Sequence, residues 1–357
     1  MGAGYRSPVS FPGTTTTDPR LSAHTTLRLG GPAARIVRAE GSAEVVDAVG
    51  GADAAGERVL LVGGGSNLVV ADTGFDGTAV LLAGRGVAYE RAGDSVLVTV
   101  EAGEDWDDVV AATVAEGLGG LECLSGIPGR TGATPVQNVG AYGVEVADLL
   151  VDVDLYDRRT RTVRTRVPAA ELGLAYRTSV LKGTDDAVVL RVRFALRADG
   201  RSAPVRYAEL ARTLGVEPDS RTEPAVVRDA VLALRRGKGM VLDPDDHDTW
   251  SAGSFFTNPV LPVADAPVVD GLAAWPAGDG RVKLSAAGLI QQAGFTRGFA
   301  GPGGRVALSS RHVLALTHRG GGTTADLLAL AAQVRDGVAG RFGVELTAEP
   351  VLVGCTL

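Results

Sequence analysis

The segment 125–143, SGIPGRTGATPVQNVGAYG, is the part of the sequence that most constrains the fold. Its five glycines and two prolines leave little opportunity for a regular helix or strand over these nineteen residues. Apolar side chains recur within it, which a flexible linker does not need, and a long ordered loop in a compact domain usually carries function. We therefore expect a packed loop that offers backbone donors to a flat ring or a pyrophosphate.

A second glycine-rich segment, VLLVGGGSNLVV at 59–70, places three glycines between two apolar runs. Its backbone could approach a ligand closely, and successive amide groups could bind an anion. A tight turn between two strands explains the same residues equally well. The dinucleotide fingerprint GxGxxG after a strand and the Walker loop are both absent, so we expect no Rossmann-type binding of a phosphate.

The chain of 357 residues exceeds the size of a single hydrophobic core, so several domains are expected. Strand-like runs and helical patterns succeed each other without alternating regularly, which predicts an α+β fold. We expect a disordered segment at 1–20, a region at 21–200 that splits near residue 85, and a C-terminal domain at 201–357. Helices are predicted near 223–238 and 324–341, and the last strand, near 350–354, could return to the first region.

Charge and composition exclude several classes of function. A net charge of −7 without a long basic run argues against nucleic-acid binding. No apolar stretch has transmembrane length and no secretory signal is present, so we expect a cytoplasmic protein. The two cysteines have no CxxC spacing, and the four histidines have no metal-ligand spacing, which predicts no metal site.

Five segments together resemble one known family, the flavin-dependent UDP-N-acetylenolpyruvoylglucosamine reductases of the MurB type. They are HTTLRLGGPA (24–33), GGGSNLVV (63–70), SGIPGRTGATPVQNVGAYG (125–143), AYRTSVLK (175–182) and AGSFFTNP (252–259), in the order that the family has them. The resemblance covers about residues 22–354. Each segment alone is weak evidence, whereas the ordered set is highly specific.

The resemblance implies an FAD-binding domain of the vanillyl-alcohol oxidase (PCMH) type, followed by a substrate-binding α+β domain of the MurB type. It implies non-covalent FAD, NADPH as co-substrate, and reduction of an enolpyruvyl ether of a UDP-sugar. We expect a monomer. The residues implied to bind FAD come from the two glycine-rich segments and are Gly63, Gly64, Gly65, Ser66, Asn67, Ser125, Gly126, Ile127, Pro128, Gly129, Gly132, Ala133, Gln137, Asn138, Gly140, Ala141, Tyr142 and Gly143.

Three residues match the catalytic positions of the family. Arg177 is implied to contact the substrate carboxylate, and Glu349 to act beside it on the intermediate. Ser254 is implied to protonate the carbanion, and Phe255 and Phe256 would keep its surroundings dry. From its residue type alone, Ser254 would instead be interpreted as a helix cap or a turn residue.

Four further residues match substrate contacts. Tyr207 resembles the loop tyrosine of the family's longer subclass, and Lys238, Asn258 and His312 resemble contacts to the substrate and its diphosphate. The stretch 239–250, GMVLDPDDHDTW, is longer than the family pattern and separates Lys238 from Ser254. A lone histidine such as His312 is more often structural.

Two other functions remain open at this point. Another flavoprotein of the same cofactor fold could oxidise an alcohol or a hydroxy acid, with oxygen as the electron acceptor. A non-catalytic binder of flavin or nucleotide sugar would lack turnover, although Arg177, Ser254 and Glu349 occurring together argue against it.

Overall fold

The computed structural model describes residues 14–15 and 19–357. The disorder expected for residues 1–20 therefore falls largely outside the described residues. The described chain packs its apolar side chains into four clusters, and each cluster belongs mainly to one part of the sequence.

The first part forms a mostly parallel sheet. Its elements are β1 (Thr14–Thr15), β2 (Ala33–Ala39), α1 (Ser42–Ala55), β3 (Val59–Val62), β4 (Leu68–Val70) and β5 (Phe75–Leu82). The sheet order is β1-β2-β5-β3, and both β2 and β3 run parallel to β5. Helix α1 connects β2 to β3 and buries Val45, Ala48 and Val49 against this sheet, as a crossover between parallel strands requires.

The second part is an antiparallel sheet covered by helices. Its elements are β6 (Val87–Ala92), β7 (Ser95–Glu101), α2 (Trp106–Ala115), β8 (Gly140–Ala141), β9 (Val144–Glu145), β10 (Leu150–Asp157), β11 (Thr162–Pro168), β12 (Ala187–Arg197), α3 (Ala208–Leu214) and α4 (Pro224–Gly237). The sheet order is β11-β10-β12-β7-β6. Strand β7 alternates buried and half-buried residues, which matches one face packed on the core.

Helices α3 and α4 follow residue 201 but pack on this second sheet. Leu210, Val227 and Val231 are wholly buried in the same cluster as Val98 and Phe194. We therefore propose that the boundary of the C-terminal domain lies near residue 240, because the change of hydrophobic core occurs there.

The third part contains two small sheets and two helices. Its elements are β13 (Ser251–Ser254), β14 (Val260–Pro262), β15 (Ala274–Pro276), β16 (Arg281–Leu284), α5 (Ala286–Gln292), β17 (Val306–Leu308), β18 (Ala315–His318), α6 (Thr324–Phe342) and β19 (Val351–Val353). The sheet orders are β13-β18-β17 and β14-β16-β15. A capping box of Thr323 and Asp326 begins α6, and Gly343 in the left-handed region ends it.

The last strand returns to the first part of the chain. Strand β19 pairs in parallel with β4, and Val351 is in register with Leu68. This pairing carries the residues just before β19, including Glu349, to the end of the GGGSN turn.

Short 3₁₀ turns complete the described structure at Leu21–His24, Glu122–Leu124, Thr131–Ala133, Val146–Asp148, Ala169–Leu172, His247–Thr249, Val263–Asp265 and Pro302–Gly304. Among the helices of the described residues, none has both the length and the apolar character needed to cross a membrane. Residues 14–15 and 19–357 also contain no cluster of three or more His, Cys, Asp or Glu residues that could hold a metal ion.

Candidate active site

The two glycine-rich segments contact each other through their backbones. A Cβ atom placed on Gly64 would lie 2.6 Å from the Cα of Gly129. Gly65 has a φ of +60°, and a Cβ there would lie 1.9 Å from the carbonyl oxygen of His24. Side chains at Gly64 and Gly65 would therefore push three segments of the chain apart, which explains why glycine is needed at both positions.

A cavity of about 230 Å³ opens beside this contact. It is lined by Ala23, His24, Thr25, Thr26, Arg28, Arg38, Gly63, Gly64, Leu81, Leu82, Ala83, Arg130 and Leu242. Its lining combines backbone from a glycine turn with three arginines, a composition that suits a ligand carrying phosphate groups.

Arg130 gives the most direct indication of an anionic ligand. Its Nε atom is buried and has no hydrogen-bond partner among the described residues, although Nη1 lies 3.3 Å from a carboxylate oxygen of Asp105. Burial lowers the pKa of Arg130, and the charges of Arg85 and Arg38 lower it further, while Asp105 acts in the opposite direction. A phosphate group here would pair the free donor and offset the repulsion between cations. The cavity residues therefore fit the pyrophosphate of FAD.

Sequence reasoning missed much of this lining. Arg130 could have been identified, because it is the one basic residue within the 125–143 loop. Arg38, Leu81, Leu82 and Leu242 come from unrelated strand and loop segments, and no local pattern marks them as cavity residues.

Two of the residues expected to bind FAD direct their side chains into the protein. The amide of Asn138, whose side chain is almost completely buried, donates to Glu145 at 2.8 Å and to the carbonyl of Ala175 at 3.1 Å. The hydroxyl of Ser125 donates to the carbonyl of Glu122 at 2.6 Å. These side chains hold the loop in shape, so a contact with a ligand would have to come from the backbone.

Asn67 joins both glycine-rich segments to the C-terminal strand. Its side-chain nitrogen donates to Oε1 of Gln137 at 2.9 Å and to the carbonyl of Glu349 at 3.4 Å. Its own carbonyl accepts the N–H of Val351 at 2.8 Å. Residues from three distant parts of the sequence therefore meet at one side chain.

Arg177 lies against the same region in a turn closed by backbone bonds between Ala175 and Thr178. Its φ of +53° is uncommon for a residue with a side chain. The guanidinium donates to the carbonyl of Gly140 at 2.7 Å, and its Nε lies 3.6 Å from Oε1 of Glu349. The turn thus directs a fixed cation toward a carboxylate and the end of the glycine loop.

Glu349 is largely buried beside Arg177. Burial raises the pKa of its carboxyl group, and the positive charges of Arg177 and Lys182 offset part of this rise. Its carboxyl group therefore holds a proton more readily than a carboxylate in water does.

Ser254 is brought next to this pair through the backbone. It ends β13, in register with Ala315 of β18, and the carbonyl of the following Phe255 accepts the N–H of Glu349 at 2.9 Å. Ser254 lies in a strand, so the interpretation as a helix cap is wrong. Phe255 and Phe256 are 1% exposed, whereas Ser254 itself is half-buried at the edge of their core. The expected dryness therefore applies to the phenylalanines and not fully to the serine.

A second group of predicted residues lies together at the tip of the glycine loop. Lys238 Nζ contacts Glu209 at 2.5 Å and stands 5.9 Å from the ring centre of Tyr142. The rings of Tyr142 and Tyr207 meet edge to face at 5.4 Å. Lys238, Tyr207 and the loop residue Tyr142 thus form one cationic and aromatic cluster.

His312 belongs to this cluster as well. Burial lowers its pKa to about 4, and the nearby charge of Lys238 is the next largest cause, followed by Arg297 and Arg235. His312 is therefore neutral at physiological pH, and it can accept or donate a hydrogen bond without changing the charge of the cluster.

Asn258 lies with the catalytic candidates and not with Lys238. Its side-chain oxygen accepts the N–H of Ala286 at 3.0 Å, at the start of α5. Burial raises the pKa of Tyr176, and hydrogen bonds from Asn258 act against that rise. Tyr176 in turn packs against Arg177, with 5.1 Å from the guanidinium carbon to the ring centre.

Comparisons with protein families agree with this arrangement. Residues 33–166 match the family model of an FAD binding domain. Residues 243–353 match the family model of the UDP-N-acetylenolpyruvoylglucosamine reductase C-terminal domain. Since these two matches correspond to the two expected halves, the expected fold class is confirmed.

Full-length relatives extend the comparison. The UDP-N-acetylenolpyruvoylglucosamine reductase of Saccharopolyspora erythraea is 65% identical, over 94% of this chain and 95% of the relative. The enzyme of the same name from Nocardia farcinica is 58% identical, over 95% and 89%.

A solved structure has the same fold over nearly the whole chain. The crystal structure of UDP-N-acetylenolpyruvylglucosamine reductase (MurB) from Thermus caldophilus superposes with a TM-score of 0.64, over 96% of this chain and 99% of that one. Its 24% identity supports the fold alone. The high identity of the relatives over nearly their whole length decides the assignment: the chain belongs to the UDP-N-acetylenolpyruvoylglucosamine reductase family and is an FAD-dependent oxidoreductase.

Proposed function

We propose that this enzyme uses NADPH to reduce UDP-N-acetylglucosamine enolpyruvate to UDP-N-acetylmuramate, a step in the synthesis of peptidoglycan precursors. The observation that carries the proposal is the meeting of Arg177, Glu349 and the strand of Ser254 beside the two glycine-rich segments. When bound, FAD accepts hydride from NADPH and supplies it to the enolpyruvyl double bond. The protein must then manage a carbanion next to a carboxylate.

Arg177 is the residue proposed to stabilise that negative charge. Its guanidinium is fixed by the carbonyl of Gly140 and by a left-handed backbone, so it needs no reorganisation as charge develops. Preorganised donors of this kind typically contribute about 3–4 kcal/mol to lowering a barrier. The planar fork of arginine also matches a carboxylate better than the single ammonium of lysine does.

Ser254 is the residue proposed to deliver the proton to carbon. A serine hydroxyl is a poor acid near neutral pH, where general acids work best with a pKa near 7. A carbanion beside a carboxylate is basic enough to take the proton nevertheless. The buried rings of Phe255 and Phe256 would limit the access of competing water from the core side.

Glu349 is proposed to act next to Arg177 on the same intermediate. Burial raises its pKa, so its carboxyl group is protonated more readily than that of an exposed glutamate, and each protonated group repels the developing negative charge less. The hydrogen bond from its backbone N–H to Phe255 fixes its distance from the serine strand.

Lys238, Tyr207 and His312 are proposed to bind the diphosphate of the nucleotide sugar. Lys238 supplies positive charge, Tyr207 lies over the loop residue Tyr142, and His312 is neutral and can donate a hydrogen bond. Asn258, which lies on the Tyr176 side, would contact the reacting end of the substrate and not its diphosphate.

FAD is proposed to sit with its pyrophosphate near Gly63, Gly64 and Arg130. The remaining residues expected from the glycine-rich segments would contact it mainly through their backbones. We also propose a cytoplasmic monomer, and light scattering of the purified protein would test the monomeric state.

The test follows the two half-reactions separately under anaerobic conditions. Purified enzyme should be yellow and should bleach with NADPH, and addition of the UDP-sugar enolpyruvyl ether should restore the colour with one product formed per flavin. Reoxidation by oxygen but not by this ether would favour an oxidase of an alcohol or hydroxy acid. A protein that binds the nucleotide sugar without reoxidation by either acceptor would be a non-catalytic binder.

A further inference from the structure

The lengthened stretch 239–250 contains a buried carboxylate that no step above uses. Asp248 is 4% exposed and accepts four hydrogen bonds. Two come from the hydroxyls of Ser309 and Ser310, both at 2.9 Å, one from the N–H of Ser310 at 3.0 Å, and one from Arg319 at 2.6 Å. We refer to Asp248, Ser309, Ser310 and Arg319 as the Asp248 network.

The Asp248 network controls the backbone that leads to His312. The hydroxyl of Ser309, which is completely buried, donates to Asp248 and accepts the N–H groups of Arg311 at 3.0 Å and His312 at 3.2 Å. The carbonyl of His312 then accepts the N–H of Ala315 at 3.0 Å, which closes the turn. Asp248 therefore orients His312 through one serine hydroxyl.

Gly239, the residue that follows Lys238, packs closely against the backbone of Asp248. Gly239 has a φ of +65°, and a Cβ there would lie 3.3 Å from the carbonyl oxygen of Asp248 and 3.5 Å from the Cδ of Arg311. The chain leaving Lys238 thus packs on the segment that Asp248 holds. Asp248 therefore contacts both supports, the chain that follows Lys238 through its backbone carbonyl and the turn that carries His312 through its carboxylate.

We propose that Asp248 is a positioning residue for nucleotide-sugar binding, which holds the 309–312 turn so that His312 and Lys238 face the same diphosphate. This inference rests on the proposed function. A carboxylate with a merely structural role would lower stability when replaced, because Arg319 would lose its partner, but it would leave affinity for the diphosphate unchanged.

The experiment measures binding of UDP to the FAD-loaded enzyme by calorimetry, together with KM and kcat for the enolpyruvyl substrate. Asp248→Asn and Ser309→Ala should each weaken UDP binding and raise KM about tenfold, with kcat nearly unchanged. Ser309→Ala keeps three of the four donors to Asp248, so it decides the question if Asp248→Asn does not fold.

Asp326→Asn is the matched control. Asp326 is a carboxylate of the same domain that pairs with Arg305 and caps α6, and its side chain makes no hydrogen bond to a member of the Asp248 network. It should lower the melting temperature without changing UDP affinity. If both network variants bound UDP as tightly as the wild type, the inference would be overturned while the proposed function stood. If the wild type itself did not bind UDP, the proposed function would fail and the inference with it.

Discussion

The guanidinium of Arg177 and the carboxyl group of Glu349 face each other across 3.6 Å, although the two residues are far apart in the sequence. Parallel pairing of β19 with β4 brings the glutamate to the arginine, and Asn67 ties the same strand to the glycine loop. The catalytic candidates therefore depend on the return of the last strand.

Replacing Glu349 should make folding stability depend less on pH. Burial raises the pKa of Glu349 in the folded protein, so its favourable contribution exists below the unfolded pKa and is lost as pH rises through the folded pKa. The melting temperature of Glu349→Gln minus that of the wild type should therefore increase from pH 4.5 to pH 8. Turnover of the variant should be lower than that of the wild type. Scanning fluorimetry of the FAD-loaded proteins measures this difference.

Glu345→Gln provides the comparison for that measurement, since Glu345 is exposed a few residues away. Its melting temperature relative to wild type should be the same at both pH values. A difference for Glu349→Gln that stayed constant, or that shrank toward pH 8, would contradict the burial argument.

Replacing Ser254 should separate the two half-reactions. Ser254→Ala should bleach normally with NADPH, because no proton to carbon is needed there. Reoxidation by the enolpyruvyl substrate should slow by a factor on the order of 10² to 10⁴, the usual contribution of a positioned general acid. Anaerobic stopped-flow absorbance of the flavin resolves both rates.

Thr323→Ala is a suitable control in the same domain, because the Thr323 side chain caps α6 by accepting the N–H of Asp326 and bonds none of the proposed catalytic residues. It should lower stability and leave both rates intact. Equal losses in both half-reactions of Ser254→Ala would assign the serine a structural role.

Local sequence patterns predicted which segments form the site better than they predicted the contacts between those segments. The glycines at 63–65 and the loop at 125–143 were identified because close backbone approach demands glycine, and the structure has these segments in contact. The helix expected near 324–341 is α6, since its apolar period and capping residues are local signals.

The contacts that local sequence patterns could not predict depend on tertiary packing. The grouping of Asn258 with Tyr176, and the packing of α3 and α4 on the second sheet, follow from contacts between distant segments. The Nε of Arg130 without a hydrogen-bond partner, and the nearby charges of Arg38 and Arg85, are likewise properties of the folded chain. No local sequence pattern predicts them. The roles of Arg177, Ser254 and Glu349 came from the family resemblance, because each would otherwise be interpreted as an ordinary surface or turn residue.

Removing the charge of Arg130 should weaken cofactor binding. Arg130→Met keeps much of the apolar stem but loses every donor, including the buried Nε without a partner. A hydrogen bond to a charged group is worth roughly 1.5–3 kcal/mol, so FAD should bind about ten to a hundred times more weakly. Titration of the apoprotein with FAD, followed by quenching of flavin fluorescence, gives the dissociation constant.

Arg164→Met serves as the control for Arg130, because Arg164 is an exposed arginine that pairs with Glu171 and does not line the cavity. It should change FAD affinity only slightly. Comparable affinity in wild type and Arg130→Met would place the pyrophosphate elsewhere in the fold.

Replacing His312 should protect the fold against mild acid. The pKa of His312 is lowered from 6.5 to about 4 by burial and by Lys238, so its neutral form contributes stability that is present above pH 6.5 and is lost as pH falls toward 4. Between pH 7 and pH 5 the wild type should lose up to about 2 kcal/mol through this group, and His312→Gln should not. Urea unfolding at several pH values measures the loss.

The difference in free energy of unfolding between wild type and His312→Gln should be constant from pH 7 to pH 8, where both side chains are neutral. At pH 5 this difference should narrow or invert in favour of the variant. A difference that did not change with pH would mean that His312 is as easily protonated in the folded chain as in the unfolded one, and its assignment as a neutral hydrogen-bonding partner of the diphosphate would then be wrong.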